Sequence, residues 1–117
     1  MRISEKNVNK NLQKEIVAIF YQLVADIKNP EEAKIFLEDL LSKAEVEAIA
    51  KRLAIAQYLD KNRSYQNIKD NLKVSSATIA SVDKSRKSPG YKLALKKIEA
   101  DQWATQWAGK IEKLFKK

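Results

Sequence analysis

Residues 64–87 read SYQNIKDNLKVSSATIASVDKSRK, and this stretch decides the fold that the sequence predicts. Ser64 is placed to cap a short helix over residues 65–72, and Ser75 or Ser76 to cap a second helix that runs to about Lys87. The apolar spacing is that of two short helices crossing steeply through a tight turn, with these residues facing inward: Tyr65, Ile68, Leu72, Val74, Ile79 and Val82. The stretch predicts a helix-turn-helix.

The positive charge of the chain is concentrated in the same region. Residues 61–97 carry 10 Lys+Arg against 2 Asp+Glu, whereas residues 1–60 carry 9 against 10 and residues 98–117 carry 4 against 3. The net charge of +8 therefore comes from one third of the chain. A basic block over two short helices is typical of a surface that binds polyphosphate, with DNA as the leading candidate. The alternative is a lysine-rich surface that only keeps the protein in solution, but the balanced remainder of the chain favours binding.

The second of these helices supplies candidate DNA contacts of two kinds. Short hydroxyl side chains can lie close to base edges, and the candidate base-reading residues are Ser75, Ser76, Thr78, Ser81 and Ser85. Basic side chains around them are suited to the backbone, and the candidate phosphate contacts are Lys61, Arg63, Lys73, Lys84, Arg86 and Lys87. Lys73 stands where such turns usually have Gly, so a positive φ there would cost about 1 kcal/mol.

Composition indicates an all-α protein that is not an enzyme. The 117 residues suffice for one domain, and only two Gly and two Pro interrupt stretches rich in helix-forming residues. The absence of Cys and His removes thiol nucleophiles, imidazole bases and the usual zinc sites. We therefore expect no metal and no cofactor. Neither a signal peptide nor a membrane span is evident, so we expect a cytoplasmic protein without a membrane partner.

Four further helices are predicted around the helix-turn-helix. The first runs from near Val8 to Lys28, the second begins at the Asn29 cap with Pro30 at its first position, and the third follows Ser42 to near Lys61. The sixth begins at Tyr91, with Leu93, Ala94, Leu95 and Ile98 facing inward. The first helix is apolar on more than one face, which indicates either a wide core stripe or a dimer interface.

Three segments together resemble the tryptophan repressor family. They are LSKAEVEAIAKRLAIA at residues 41–56, SYQNI at residues 64–68 and SATI at residues 76–79. The chain is most similar to the YerC/YecD-type Trp repressor-related proteins, over about residues 10–98. The resemblance implies a Trp repressor-like bundle of about six helices, an intertwined homodimer, and a two-fold operator in double-stranded DNA bound through the fifth helix. That helix, at about residues 76–87, would enter the major groove.

The same resemblance identifies a candidate effector pocket and a departure from it. Arg52 stands where the family has an arginine that lines an indole pocket, while Ser81 stands where tryptophan-binding members have a second, stacking arginine. Val82 replaces the neighbouring glycine, and its isopropyl group is expected to close the slot. We therefore expect L-tryptophan not to be the effector, and Arg52 to have either a ligand role or a structural ion pair.

The C-terminal residues continue the pattern beyond the family-like part. Trp103, Trp107, Ile111 and Leu114 form one stripe, which predicts packing on a partner subunit or on the first helix. A groove on a partner protein is the sharper alternative, and a membrane-surface helix is the third. We take residues 1–100 as the helix-turn-helix domain and residues 101–117 as a helical extension of the same domain.

The sequence as a whole predicts a sequence-specific DNA-binding transcriptional regulator, and a repressor in particular, that does not respond to tryptophan. The rival hypothesis is a protein-interaction or assembly module whose basic helices bind an acidic protein or RNA. A steep salt dependence and a strong preference for one DNA sequence would separate the two.

Overall fold

A computed structural model describes residues 9–115, apart from the side chains of residues 103, 104 and 106–115. These residues form six α-helices and no strand, which confirms the predicted all-α class. The helices are α1 (Lys10–Asp26), α2 (Pro30–Leu40), α3 (Lys43–Asp60), α4 (Tyr65–Leu72), α5 (Ser76–Ser85) and α6 (Pro89–Phe115). The described residues up to Lys43 form one compact unit, and those from Ala44 onward form a second.

The first unit contains α1 and α2, and neither helix has a buried residue. Asn29 caps α2 as predicted, because its Oδ1 accepts a hydrogen bond of 2.8 Å from the Glu32 amide and Pro30 follows at the first position. The rings of Phe20 and Phe36 lie 6.5 Å apart. Large apolar residues of α1 remain exposed in the single chain: Leu12, Ile16, Val17, Ile19, Phe20, Tyr21, Leu23 and Val24.

The second unit holds the buried core of the described residues. Three helices contribute to it, namely α3 with Ile55, Ala56 and Leu59, α4 with Ile68, and α5 with Ile79 and Val82. Half-buried residues complete it: Tyr58, Leu72, Val74, Tyr91 and Leu95. This core fixes α4 and α5 against α3 and therefore positions the helix-turn-helix.

Two inward assignments made from the sequence are wrong. Tyr65 is 38% exposed, because its ring lies at the edge of the α4–α5 pair and its hydroxyl reaches a carboxylate on α5. Leu93 is 57% exposed, since the inward face of α6 is set by Tyr91 and Leu95, and Leu93 lies two residues, or roughly 200°, from each. Ala94, Leu95 and Ile98 are half-buried as predicted.

Helix α6 begins at Pro89, two residues earlier than predicted, because proline is well accommodated in a first helical turn. Its backbone continues to Phe115, so residues 101–115 are helical. The predicted packing of the stripe Trp103, Trp107, Ile111 and Leu114 falls on side chains outside the described residues. Within the described part of the chain, no helix combines the length and apolarity needed to cross a membrane.

Candidate nucleic-acid interface

Local hydrogen bonds set the bounds of α4 and α5. The Ser64 Oγ accepts a hydrogen bond of 3.1 Å from the Asn67 amide, and the Ser75 Oγ accepts one of 3.1 Å from the Thr78 amide. Both predicted caps are thereby confirmed, and of the two candidates for α5 it is Ser75 that caps the helix. The connection between the two helices spans only residues 73–75, as a helix-turn-helix requires.

The turn begins at Lys73 in a left-handed conformation, with φ 55° and ψ 52°. The Lys73 amide donates a hydrogen bond of 2.9 Å to the Lys69 carbonyl, which closes the last turn of α4. A lysine therefore occupies a position that favours glycine, and its exposed side chain stands at the entry to α5.

The candidate base-reading hydroxyls fall into two groups. Ser75 and Thr78 bond to each other, with their hydroxyl oxygens 2.9 Å apart, so both take part in capping α5. Ser76, Ser81 and Ser85 are exposed, and their hydroxyls make no hydrogen bond to any described residue. These three hydroxyls are available to a ligand in the single chain.

The candidate phosphate contacts also fall into two groups. The four lysines Lys61, Lys73, Lys84 and Lys87 are exposed and form no ion pair with a described residue. Both arginines are engaged by the protein itself: the Arg63 guanidinium lies 4.3 Å from the centre of the Tyr58 ring, and Arg86 is paired with carboxylates. The lysines are therefore the freer cations of the predicted set.

A polar chain that the sequence did not predict joins α3, α4 and α5. The Tyr65 hydroxyl donates a hydrogen bond of 2.8 Å to Asp83 Oδ2, and Arg86 Nε donates one of 2.8 Å to Asp83 Oδ1. Arg86 Nη1 also lies 3.5 Å from Asp60 Oδ1. The spacing of Asp83 and Arg86 signals their pairing, but Tyr65 is 18 residues away and no local pattern indicates it.

The hydrogen bonds between these polar side chains shift the pKa values of Asp83 and Tyr65. The bond from Arg86, followed by that from Tyr65, lowers the pKa of the Asp83 carboxyl from its ordinary value. The bond to Asp83 raises the pKa of the Tyr65 phenol, because it favours the protonated hydroxyl. The carboxylate and the phenol are therefore in their bonded forms at neutral pH.

Both acidic residues of the basic segment 61–97 are occupied within the protein. Asp83 is held by Arg86 and Tyr65, and Asp70 accepts a hydrogen bond of 2.9 Å from Gln66 Nε2. Neither carboxylate forms an ion pair with a lysine among the described residues, so the lysine charges of this segment remain available to an external anion.

Arg52 lines two adjoining depressions beside α5, which together are called the Arg52 pocket. One has a volume of about 310 Å³ and is lined by Ile49, Leu53, Ser88, Gly90 and Tyr91 in addition to Arg52. The other, of about 330 Å³, is lined by Thr78, Ser81, Val82, Ser85 and Tyr91 together with Arg52. Val82 lines the second depression, and the closure of an indole slot by its side chain stays a prediction. Arg52 is exposed and forms no ion pair with a described residue. The alternative role for Arg52, a structural ion pair, is therefore not seen in the single chain.

Residues 9–115, as far as they are described, contain no group of three or more acidic, histidine or cysteine side chains placed to bind a metal ion. The chemistry that the site offers is thus that of hydroxyl hydrogen bonds, cationic charge and one arginine-lined pocket.

The chain is similar to known proteins in both sequence and structure. A family model described as Trp repressor protein matches residues 15–99. The chain is 28% identical over 94 residues to an uncharacterized protein, YerC, from Bacillus subtilis (strain 168), covering 79% of this chain and 89% of that protein. It also superimposes with a TM-score of 0.69 on the crystal structure of a TrpR-like protein from Eubacterium eligens ATCC 27750. That match has 27% identity and covers 78% of this chain and 96% of the other.

Proposed function

The chain belongs to the Trp repressor protein family, and from that premise we propose that it is a sequence-specific DNA-binding regulator of transcription, acting as a repressor. Its recognition segment is residues 64–87, which comprises α4, the turn and α5. The operator would be double-stranded DNA, and α5 would enter its major groove.

The observation that carries this proposal is the division of α5 into a buried face and a free polar face. Ile79 and Val82 are buried against α3 and α4, whereas Ser76, Ser81 and Lys84 are exposed without intramolecular partners among the described residues. A helix held on one side and carrying free hydroxyls and cations on the other is suited to base edges and phosphates.

The dimensions of α5 agree with this role. An α-helix with its side chains is about 10–12 Å in diameter, which fits the major groove width of about 12 Å, and the 10 residues of α5 span about 15 Å. Lys73 precedes α5 and Lys87 follows it, so the two exposed lysines stand at opposite ends of the helix. This arrangement supports the proposal that they contact phosphates on the two strands that border the groove.

We propose further that the protein acts as a homodimer. In the single chain α1 exposes apolar side chains on several faces, including Ile19 at 66% and Tyr21 at 67% exposure. Monomeric proteins rarely leave so large an apolar surface in water, and a second copy would cover it. Light scattering of the full chain at low micromolar concentration tests this. A mass near the 13.4 kDa of one chain would contradict it.

The Arg52 pocket is proposed as the effector site, with a ligand other than L-tryptophan. Arg52 offers a cation with no carboxylate partner among the described residues, and Tyr91 offers an aromatic ring in both depressions. Ser81 stands on the side where a second arginine would stack on an indole ring, so one of the two stacking cations is absent.

The test is the selection of bound fragments from sheared genomic DNA by the purified full-length protein, followed by competition with scrambled duplexes. We expect a recurrent two-fold sequence and a discrimination of roughly 10³ or more over scrambled DNA, which is the lower end for specific regulators. Recovery of fragments without a shared sequence would contradict the proposal. Preferential binding to RNA or to an acidic protein would favour the assembly module in its place.

A further inference from the structure

A cleft between the end of α5 and the first half of α6 carries lysines that the recognition segment does not include. Its volume is about 410 Å³, and Lys87, Lys92 and Lys96 line it together with Arg86, Asp60 and Glu99. It is called the lysine cleft. Lys92 and Lys96 belong to α6, four residues apart, so they lie on one face of that helix about 6 Å apart along its axis.

The connection between α5 and α6 brings these lysines next to the recognition segment. Only residues 86–88 separate the two helices. The Ser88 hydroxyl donates a hydrogen bond of 2.6 Å to the Ser85 carbonyl, while the Lys92 amide donates one of 3.0 Å to the Ser88 carbonyl. The last turn of α5 and the first turn of α6 are thus tied through Ser88, and the cleft continues directly from Lys87.

The charges of the cleft do not balance internally. Arg86 is paired with Asp60 and Asp83, so its charge is compensated within the protein. Lys87, Lys92 and Lys96 form no ion pair with a described residue, and Glu99 is the one remaining carboxylate among the lining residues. Three like charges around one depression repel each other, and an external anion would relieve that repulsion.

We infer that the lysine cleft binds the phosphate backbone of DNA flanking the base pairs that α5 reads, with Lys92 and Lys96 as phosphate contacts. This inference rests on the proposed DNA-binding function and extends its footprint outward from the end of α5. The continuity of the cleft with Lys87, the last residue of the recognition segment, favours flanking DNA over another polyanion.

The test compares the full-length protein with the double variant Lys92→Ala/Lys96→Ala on two duplexes. One duplex carries only the selected operator, and the other carries the operator extended by a helical turn at each end. Lys97→Ala is the matched control, because Lys97 is an exposed lysine of the same helix that does not line the cleft. Glu99→Gln removes the one carboxylate of the cleft that is not paired with Arg86.

On the extended duplex the double variant should have a slope of log K against log salt that is smaller by about 3.6, at about 0.9 for each of four phosphates, two for each subunit of the homodimer. Between about 50 and 200 mM salt, wild-type affinity should therefore fall about 150-fold more than that of the variant. The short duplex and the Lys97→Ala control should show no such difference, and Glu99→Gln should bind the extended duplex more tightly than wild type does.

Equal slopes for wild type and double variant on the extended duplex would overturn the inference while leaving the proposed function intact. The same holds if Lys97→Ala lowers the slope by half as much as the double variant does, since the effect would then be one of net charge. If wild type binds neither duplex specifically, the proposed function fails and the inference fails with it. Thermal unfolding of each variant, matched to wild type, excludes a loss of fold as the cause.

Discussion

Replacing Lys73 by glycine should stabilise the protein and weaken its binding to DNA. Lys73 has φ 55° and ψ 52°, and its amide hydrogen bond to the Lys69 carbonyl holds it in that conformation. The left-handed region costs an L-residue about 1–2 kcal/mol, whereas glycine enters it without that cost. Glycine loses more conformational freedom on folding, by roughly 0.5–1 kcal/mol, which offsets part of the gain.

The net stabilisation by Lys73→Gly should therefore be about 0.5–1 kcal/mol, which corresponds to a rise in Tm of about 2–4 °C for a chain of this size. Asn62 provides the internal control, because it has a φ of 60° and asparagine tolerates the left-handed region far better than lysine. Asn62→Gly should accordingly gain much less. Thermal unfolding followed by circular dichroism, at one protein concentration, measures both.

Measuring the DNA affinity of two variants separates the effect of the backbone conformation at Lys73 from the effect of its charge. Lys73→Ala removes the ammonium group but keeps the backbone strain, so its DNA affinity should fall as that of Lys73→Gly does, without the gain in Tm. Each lost phosphate contact should lower the slope of log K against log salt by about 0.9, so losing Lys73 from both subunits of the homodimer should lower it by about 1.8. A Tm of Lys73→Gly no higher than that of Lys73→Ala would refute the strain argument, and unchanged slopes in both variants would refute the role of Lys73 at a phosphate.

The remaining predictions concern α5, the Arg52 pocket and the polar chain. Ser81→Ala should reduce discrimination between operator and scrambled DNA by about 1–3 kcal/mol if its hydroxyl contacts a base, whereas Lys84→Ala should lower the affinity for all DNA sequences alike. A fluorescence titration at several salt concentrations distinguishes the two effects, and equal behaviour of the two variants would contradict the assignment. Millimolar L-tryptophan should not raise the Tm, although an effector at a hundredfold excess over its Kd would stabilise by about 2.7 kcal/mol; stabilisation by tryptophan and not by leucine would show that Ser81 does not exclude it. The stability that Tyr65 gains from Asp83 should be present below pH 10.0, the ordinary pKa of the phenol, and lost as the pH rises through its raised folded value, so the Tm difference between wild type and Tyr65→Phe should vanish in strong base. At the acidic end the contribution of Asp83 should be present above its ordinary pKa of 3.8 and lost as the pH falls through its lowered folded value, and a Tm difference independent of pH would argue against both bonds.

The parts of the fold that the sequence predicts correctly are those fixed by neighbours along the chain. Ser64 and Ser75 bond amides three residues away, and Asn29 does the same, so each cap can be recognised in a window of four residues. Ile68 and Ile79 are assigned to the core by helical spacing and are fully buried. Local rules suffice wherever the partner is a neighbour in sequence.

The parts that the sequence does not predict depend on contacts between distant residues. The Tyr65 bond to Asp83 joins two helices, and it turns a residue assigned to the core into one at the surface. The apolar character of Leu93 suggests an inward position, but the face of α6 that packs on the core carries Tyr91 and Leu95.

The hydrogen bonds of Asp83 to Tyr65 and Arg86 explain how the basic segment 61–97 can contain this carboxylate without an ion pair between it and a lysine. Asp83 lies on α5 among exposed lysines, yet its two oxygens accept from Arg86 and Tyr65, on the side of α5 that meets α4. The arginine, which pairs well with a carboxylate through several donors, is used internally, whereas the lysines keep their charges free. The same interactions that hold α5 against α4 thus leave its outer face positive, and this coupling makes the geometry and the electrostatics of the recognition segment consequences of one set of contacts.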